Sequence, residues 1–169
     1  MKLNDLNAKS TATFLDLIGG ALEGEIWLAE RIVEKRPFAK VNDLYSTFAQ
    51  VINTASEQEK IRLIASHPDL APSVQTDLSE ESIQEQASAG LNNLTSDEYA
   101  TFNRLNTAYH QKFNFPFVIC ARENTKSSIL GQFEARLSNT RSQEIEIGIA
   151  EILKIIKLRL TDLIDDSEI

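Results

Sequence analysis

Cysteine, histidine, glycine and proline are all scarce in this sequence. Its 169 residues include one cysteine and two histidines. One cysteine excludes an intramolecular disulfide and is typical of a reducing compartment. So few histidine and cysteine side chains cannot form an ordinary zinc site. Six glycines and four prolines, with almost no strict alternation of apolar and polar residues, favour an all-helical protein.

Long apolar runs and positive charge are scarce as well. No apolar run approaches the ~20 residues of a membrane span, and the first residues do not begin an apolar secretory signal. The net charge of −8 disfavours binding to nucleic acid or to an anionic membrane surface. We therefore expect a cytoplasmic protein that binds neither nucleic acid nor membrane.

The residues that are present predict one helical domain over residues 1–169. The apolar fraction of 42% and the charged fraction of 25% are ordinary for a globular chain of this length. Capping boxes that begin at Ser56, Thr95 and Thr140 each mark the start of a helix. The apolar spacing predicts a bundle of about eight helices. Residues 69–77 read as a loop, and residues 115–121, which contain Pro116, as a buried extended segment.

The stretch from Ser66 to Leu70 is the first candidate site. Pro68 disfavours helical dihedral angles in the residue before it, so the preceding helix should end at about His67. A side-chain pKa near 6.5 would let a fixed imidazole donate a proton or bind an anion. The structural alternative is a capping histidine that bonds to the last carbonyls of the helix.

A second candidate lies on the next helix. Ser82, Glu85 and Gln86 share one helical face and offer a hydroxyl, a carboxylate and an amide. Ala89 and Gly90 follow one turn later and are small enough for a ligand or a backbone to approach closely. The structural alternative is a polar face exposed to water.

Arg159 is the third candidate, because it falls inside an apolar stripe. The stripe of the last helix consists of Ile145, Ile149, Ile152, Ile156 and Leu163. A guanidinium there needs a carboxylate partner or a route to water, and its planar fork suits bidentate binding of an anion. A structural ion pair with Asp or Glu is the alternative.

Two further reactive side chains receive structural interpretations. His110 lies beside Gln111 and Lys112 in a predicted helix and is expected to be solvated. Cys120 lies in an apolar run and is expected to be a small buried hydrophobe rather than a nucleophile.

Taken together, four motifs resemble those of a known family in both spelling and order. They resemble the motifs of the OHCU decarboxylases, which act on 2-oxo-4-hydroxy-4-carboxy-5-ureidoimidazoline in urate degradation. The motifs are His67-Pro68-Asp69-Leu70, Ser82-x-x-Glu85-Gln86-x-x-Ala89-Gly90-Leu91, Phe115-Pro116-Phe117-Val118-Ile119-Cys120-Ala121-Arg122 and Leu158-Arg159-Leu160.

The resemblance implies an all-helical homodimer that converts OHCU to (S)-allantoin and CO₂ without a metal or an organic cofactor. It implies that His67 is the catalytic acid and Glu85 its acidic partner. The implied substrate-binding residues are Pro68, Ser82, Ile83, Gln84, Glu85, Gln86, Phe117, Val118, Ile119, Cys120, Ala121 and Arg159.

Two alternatives stay open at this point. His67 could begin neutral and act as a base on the substrate hydroxyl, with Glu85 relaying protons. The chain could also be a helical module that binds ureides or purine breakdown products without turnover. The presence of both His67 and Glu85 favours an enzyme, because a binding module would not need the pair.

Overall fold

A computed structural model describes residues 1–72 and 78–165. Over these two ranges the regular secondary structure is entirely helical, and no strand is present. This confirms the all-helical prediction. None of the helices in the described part of the chain is long and apolar enough to cross a membrane. Residues 73–77 of the predicted loop lie outside the described residues.

The backbone contacts divide the chain into two units. The first joins Met1–Ser66 to the residues from Leu153 onward, and the second is His67–Ile152. Nine α-helices fall in the described ranges, one more than the sequence predicted. The additional helix has five residues and buries only Leu6, so it has almost no periodic apolar signal. One domain over residues 1–169 stays a prediction.

The first unit contains five complete helices and the end of the last helix. Ser10 and Ser56 cap two of them, since each hydroxyl accepts a backbone N–H from three residues further along, at 3.2 and 3.3 Å. The capping box predicted at Ser56 is therefore confirmed. The helices are α1 (Leu3–Asn7), α2 (Thr11–Gly19), α3 (Ile26–Val33), α4 (Val41–Asn53), α5 (Glu57–Ala65) and the part of α9 (Arg141–Leu163) from Leu153 onward.

The second unit contains three complete helices and most of α9. The predicted capping box at Thr95 is present, with Glu98 as its third residue. Asn114 ends the longest of the three helices with a left-handed backbone, φ +60°, a conformation that asparagine tolerates. The helices are α6 (Glu80–Ser88), α7 (Ser96–Phe113), α8 (Lys126–Arg136) and α9 up to Ile152.

The first part of the connection between α7 and α8 is buried but not helical. Residues 115–120 are all buried and belong to no helix or strand, and a short 3₁₀ turn over Ala121–Glu123 follows. This confirms the predicted buried extended segment. Aromatic rings pack around it: Phe117 stacks on Phe133 with centroids 3.8 Å apart, and Tyr109 meets the edge of Phe117 at 5.4 Å. Such pairs each add about 0.5–1.5 kcal/mol to the effect of burial.

A fully buried carboxylate, Glu144, binds three side chains at this aromatic core. Arg136 Nε donates to Glu144 Oε2 at 2.9 Å, and Arg136 Nη2 forms an ion pair with the same oxygen, also at 2.9 Å. Asn139 donates to the other carboxylate oxygen at 2.7 Å, and the Tyr109 hydroxyl donates to Oε2. Burial, followed by the bond to Glu144, raises the pKa of Tyr109 far above its usual value. The phenol therefore stays protonated and keeps donating.

We expect Arg136→Met to destabilise the protein by about 3–5 kcal/mol, because it leaves the Glu144 carboxylate buried without its cation. The double variant Arg136→Met/Glu144→Leu should recover much of this loss, because both charges are gone. Urea unfolding followed by circular dichroism measures both.

The matched control for this prediction is Arg104→Met. Arg104 and Glu134 approach to 3.9 Å with both side chains mostly exposed, so its loss should cost less than about 1 kcal/mol. Equal losses for the two single variants would contradict a special role for the buried pair.

Candidate active site

His67 is a mostly buried imidazole just beyond the end of α5. The helix ends at Ala65 and Ser66 is its C-cap, so His67 lies one residue past the cap rather than in the last turn. The predicted helix end is correct to within two residues, the usual uncertainty of such boundaries. The side chain is 7% exposed, and the neighbouring Pro68 is half-buried.

Side chains from two helices hold the backbone of the loop that follows His67. Gln86 of α6 accepts a hydrogen bond from Ala71 N–H at 2.9 Å and donates one to Asp69 O at 3.1 Å. Asn106 of α7 donates to Leu70 O at 2.8 Å. Ala71 has φ +46°, which is unfavourable for a residue with a Cβ. These bonds therefore fix a backbone that would not adopt this shape by preference.

Asp69 also has a side-chain partner on α7. His110 Nε2 and Asp69 Oδ1 are 2.7 Å apart, and both side chains are partly exposed. His110 is thus exposed, as predicted, but it contacts the loop after His67. Sequence reasoning did not foresee this contact. Such an exposed pair contributes at most about 1 kcal/mol.

The polar face of α6 is turned inward. Ser82 and Gln86 are buried and Glu85 is half-buried, whereas Ile83 and Gln84 are exposed. The structural alternative, a polar face exposed to water, does not fit the burial of Ser82 and Gln86. The proposed substrate contacts of Ile83 and Gln84 stay predictions.

Gly90 ends α6 and has a structural role there. Its φ is +82°, a conformation that glycine adopts at little cost. The Leu91 N–H bonds back to Gln86 O at 3.0 Å and the Gly90 N–H to Ala87 O at 2.9 Å. This pair of bonds is a Schellman motif.

The segment from Phe117 to Ala121 lies close to α6. All five of its residues are buried, and the 3₁₀ turn that begins at its last residue, Ala121, packs against α6. Burial, together with smaller effects of the charges of Glu123, Glu151 and Glu85, raises the pKa of the Cys120 thiol to about 11. Cys120 therefore remains a thiol at neutral pH, consistent with a small buried hydrophobe.

Buried side chains hold this segment at two consecutive peptide groups. Arg136 Nη1 donates to Val118 O at 2.9 Å, and Cys120 N–H donates to Glu151 Oε2 at 2.8 Å. Sequence reasoning missed Arg136, Glu144 and Glu151. The two glutamates each directly precede an isoleucine of the apolar stripe of α9. Each glutamate is therefore turned roughly 100° around the helix from that stripe, so the apolar pattern that singled out Arg159 gave no signal for them.

Arg159 has a carboxylate partner within its own unit. Its Nη2 lies 2.7 Å from Glu23 Oε1, with both side chains almost fully buried, and its Nη1 donates to Gly20 O at 3.1 Å. The need for a partner, inferred from the apolar stripe, is met in this way. The other predicted site residues belong to the second unit, and a substrate contact by Arg159 stays a prediction.

The second unit thus contains the groups of a candidate acid–base site. Its groups are an imidazole, a carboxylate, a hydroxyl and the backbone of a buried segment, with α6 next to both the loop and the segment. These groups can move a proton and hydrogen-bond a small polar molecule. Within residues 1–72 and 78–165, no three His, Cys, Asp or Glu side chains are grouped as a metal ion would require.

Comparison with known proteins identifies the family. The family model described as OHCU decarboxylase matches residues 7–161. The 2-oxo-4-hydroxy-4-carboxy-5-ureidoimidazoline decarboxylase of Xenopus laevis is 39% identical over 165 residues, covering 96% of this chain and 94% of the relative. The chain therefore belongs to the OHCU decarboxylase family.

Two longer proteins are also similar. A uric acid degradation bifunctional protein of Bacillus sp. (strain TB-90) is 38% identical over 169 residues, which cover 99% of this chain and 33% of the relative. The chain thus spans about a third of that protein. The crystal structure of an (S)-allantoin synthase superimposes with a TM-score of 0.78 at 28% identity, over 98% of this chain and 55% of the other.

We expect Gln86→Leu to destabilise the protein by about 2 kcal/mol or more, because two backbone groups of the loop lose their partners and each such loss costs about 1–3 kcal/mol. Glu81→Leu, at an exposed position of the same helix, is the control and should change stability little. Thermal unfolding compares the two. Unchanged stability in Gln86→Leu would show that its amide does not hold the loop.

Proposed function

We propose that this protein is a cofactor-independent decarboxylase that converts OHCU to (S)-allantoin and CO₂ in urate degradation. One observation carries the proposal. A chain that matches the OHCU decarboxylase model over residues 7–161 also has His67 buried beside a loop that α6 holds, with Glu85 on α6. Family membership suggests the reaction, and the two side chains supply acid–base groups for it.

The proposed reaction uses the substrate itself as the electron acceptor. The bond between the ring carbon and the carboxylate carbon breaks, CO₂ leaves, and the electron pair moves into the adjoining C=N group of the imidazoline ring. A proton then adds to the neighbouring ring carbon, which bears the ureido group, and the hydroxyl on the carbon that lost CO₂ gives up its proton to become the carbonyl of allantoin. The protein must hold the carboxylate out of the conjugated plane, stabilise the charge that enters the ring and deliver the proton to one face.

The side chains divide these tasks in our proposal. His67 donates the proton, and Glu85 favours the protonated imidazole as a neighbouring carboxylate does. Ser82 and backbone groups of the segment from Phe117 to Ala121 hydrogen-bond the ring and the ureido group. Because His67 would deliver the proton to only one face of the ring carbon, the product would be a single enantiomer.

The remaining members of the proposed site contribute in different ways. Gln86 lines the pocket while its amide holds the loop backbone, and Pro68 fixes the chain next to the imidazole. Ile83 and Gln84 are proposed at the edge of the site because they are exposed. Arg159 would hold an anionic or carbonyl oxygen of the substrate. We further propose that the protein is a cytoplasmic homodimer, as the family resemblance and the single cysteine suggest.

Decarboxylation of freshly generated OHCU, followed by near-ultraviolet circular dichroism, tests the proposed function. OHCU decays unaided to racemic allantoin. With the protein present we expect rapid formation of an optically active product. Slow decay to a racemate in the presence of folded protein would contradict the proposal and favour the binding module.

We expect His67→Asn to lower kcat by about 10²–10⁴-fold, the usual contribution of general acid–base catalysis. Steady-state kinetics on fresh OHCU measures the loss, and an unchanged melting temperature shows that the variant is folded. A folded variant with near-normal kcat would remove His67 from the mechanism.

A further inference from the structure

Two carboxylates of the last helix stabilise the buried segment between α7 and α8, one directly and one through an arginine. The proposed mechanism uses neither of them. Glu144 and Glu151 lie two helical turns apart on α9, and both are buried. Glu151 accepts the Cys120 N–H directly at 2.8 Å. Glu144 acts through Arg136, whose Nη1 donates to Val118 O at 2.9 Å.

These two contacts orient the polar backbone groups of Ile119. A trans peptide group is planar, and its C=O and N–H point in opposite directions. The Val118 carbonyl shares a peptide group with the Ile119 N–H, so the bond to Arg136 turns that N–H away from Arg136. The Cys120 N–H shares a peptide group with the Ile119 carbonyl, so the bond to Glu151 turns that carbonyl away from Glu151. Arg136 and Glu151 thereby fix the directions of the N–H and the C=O of Ile119, although neither bonds to Ile119 itself.

The backbone around Ile119 has no strand ladder to fix it. Residues 116–120 belong to no helix or strand, so side chains do what regular secondary structure does elsewhere. At the end of the segment, Asn124 Nδ2 donates to Cys120 O at 3.0 Å. Hydrogen bonds to charged partners are shorter and stronger than neutral ones, and here both charged partners are buried.

We propose that Glu151 and Arg136 are positioning residues, which aim the backbone N–H and C=O of Ile119 at the substrate. This inference rests on the proposed function, since it concerns how the site binds OHCU. Misplacement by 1 Å can reduce catalysis by about 10²-fold. The two residues therefore affect turnover although neither is proposed to touch the substrate.

Glu151 is the better residue to vary, because removal of Arg136 leaves Glu144 buried without its cation. Glu151→Leu removes the acceptor, and Glu151→Gln keeps an oxygen acceptor without the charge. Glu146→Leu, at an exposed position of the same helix, controls for the change of Glu to Leu. Each variant is assayed well below its own melting temperature, with KM and kcat determined separately.

We expect Glu151→Leu to lower kcat/KM by about 100-fold, with a raised KM. Glu151→Gln should recover most of this loss, and Glu146→Leu should resemble the wild type. A purely structural role predicts something else, namely a lower melting temperature with unchanged KM in the molecules that remain folded. Either that pattern or equal impairment of the Gln and Leu variants would overturn the proposal.

Titration with (S)-allantoin separates this inference from the proposed function. We expect the Ile119 amide resonance of the ¹⁵N-labelled wild type to shift with added (S)-allantoin, and the shift to be lost in Glu151→Leu and kept in Glu151→Gln. An inactive wild type would overturn the proposed function alone if these shifts appear. A wild type that turns over OHCU with no response at Ile119 would overturn the positioning inference alone.

Discussion

The hydrogen bond from a buried charged side chain to an irregular backbone is the interaction on which this site depends. Backbone N–H and C=O groups that are buried need partners, and a segment outside helices and strands has none of its own. In the second unit, Arg136 and Glu151 supply the partners for residues 118–120. Glu144 makes this possible, since it balances the charge of Arg136 in the aromatic core.

The same solution is found at the loop after His67, with neutral side chains. Gln86 bonds to two backbone groups there and Asn106 bonds to a third. Because Gln86 lies on α6 with Ser82 and Glu85, the helix for which we propose contacts to a ligand also fixes the loop next to the imidazole. In our proposal one short helix thus serves both positioning and chemistry, as catalysis by orientation requires.

The sequence predicted well what depends on local rules. The N-caps at Ser56, Thr95 and Thr140 start helices as expected, because a cap involves residues only three apart. Proline and the short apolar run predicted the buried segment before α8. The inward-facing side of α6 could not be decided from spacing, since a polar helical face has the same pattern whether a neighbour covers it or water does.

What the sequence missed involves partners that are distant along the chain. Nothing local indicates that Glu151 meets Cys120, or that Asn106 meets Leu70. Arg159 shows both sides of this limit. Its place on the apolar stripe correctly implied a partner, but only the fold identified that partner as Glu23. The motifs carried the family resemblance, which the family match over residues 7–161 confirmed.

Native-state hydrogen exchange at the amides of Ala71 and Cys120 is the most direct test of the central claim, that buried side chains fix the backbone beside the site. Neither amide lies in a helix or a strand, and each donates to a side chain of another element. The account predicts that both exchange as slowly as amides in the core of α7. Exchange of either at the rate of an open loop would contradict it.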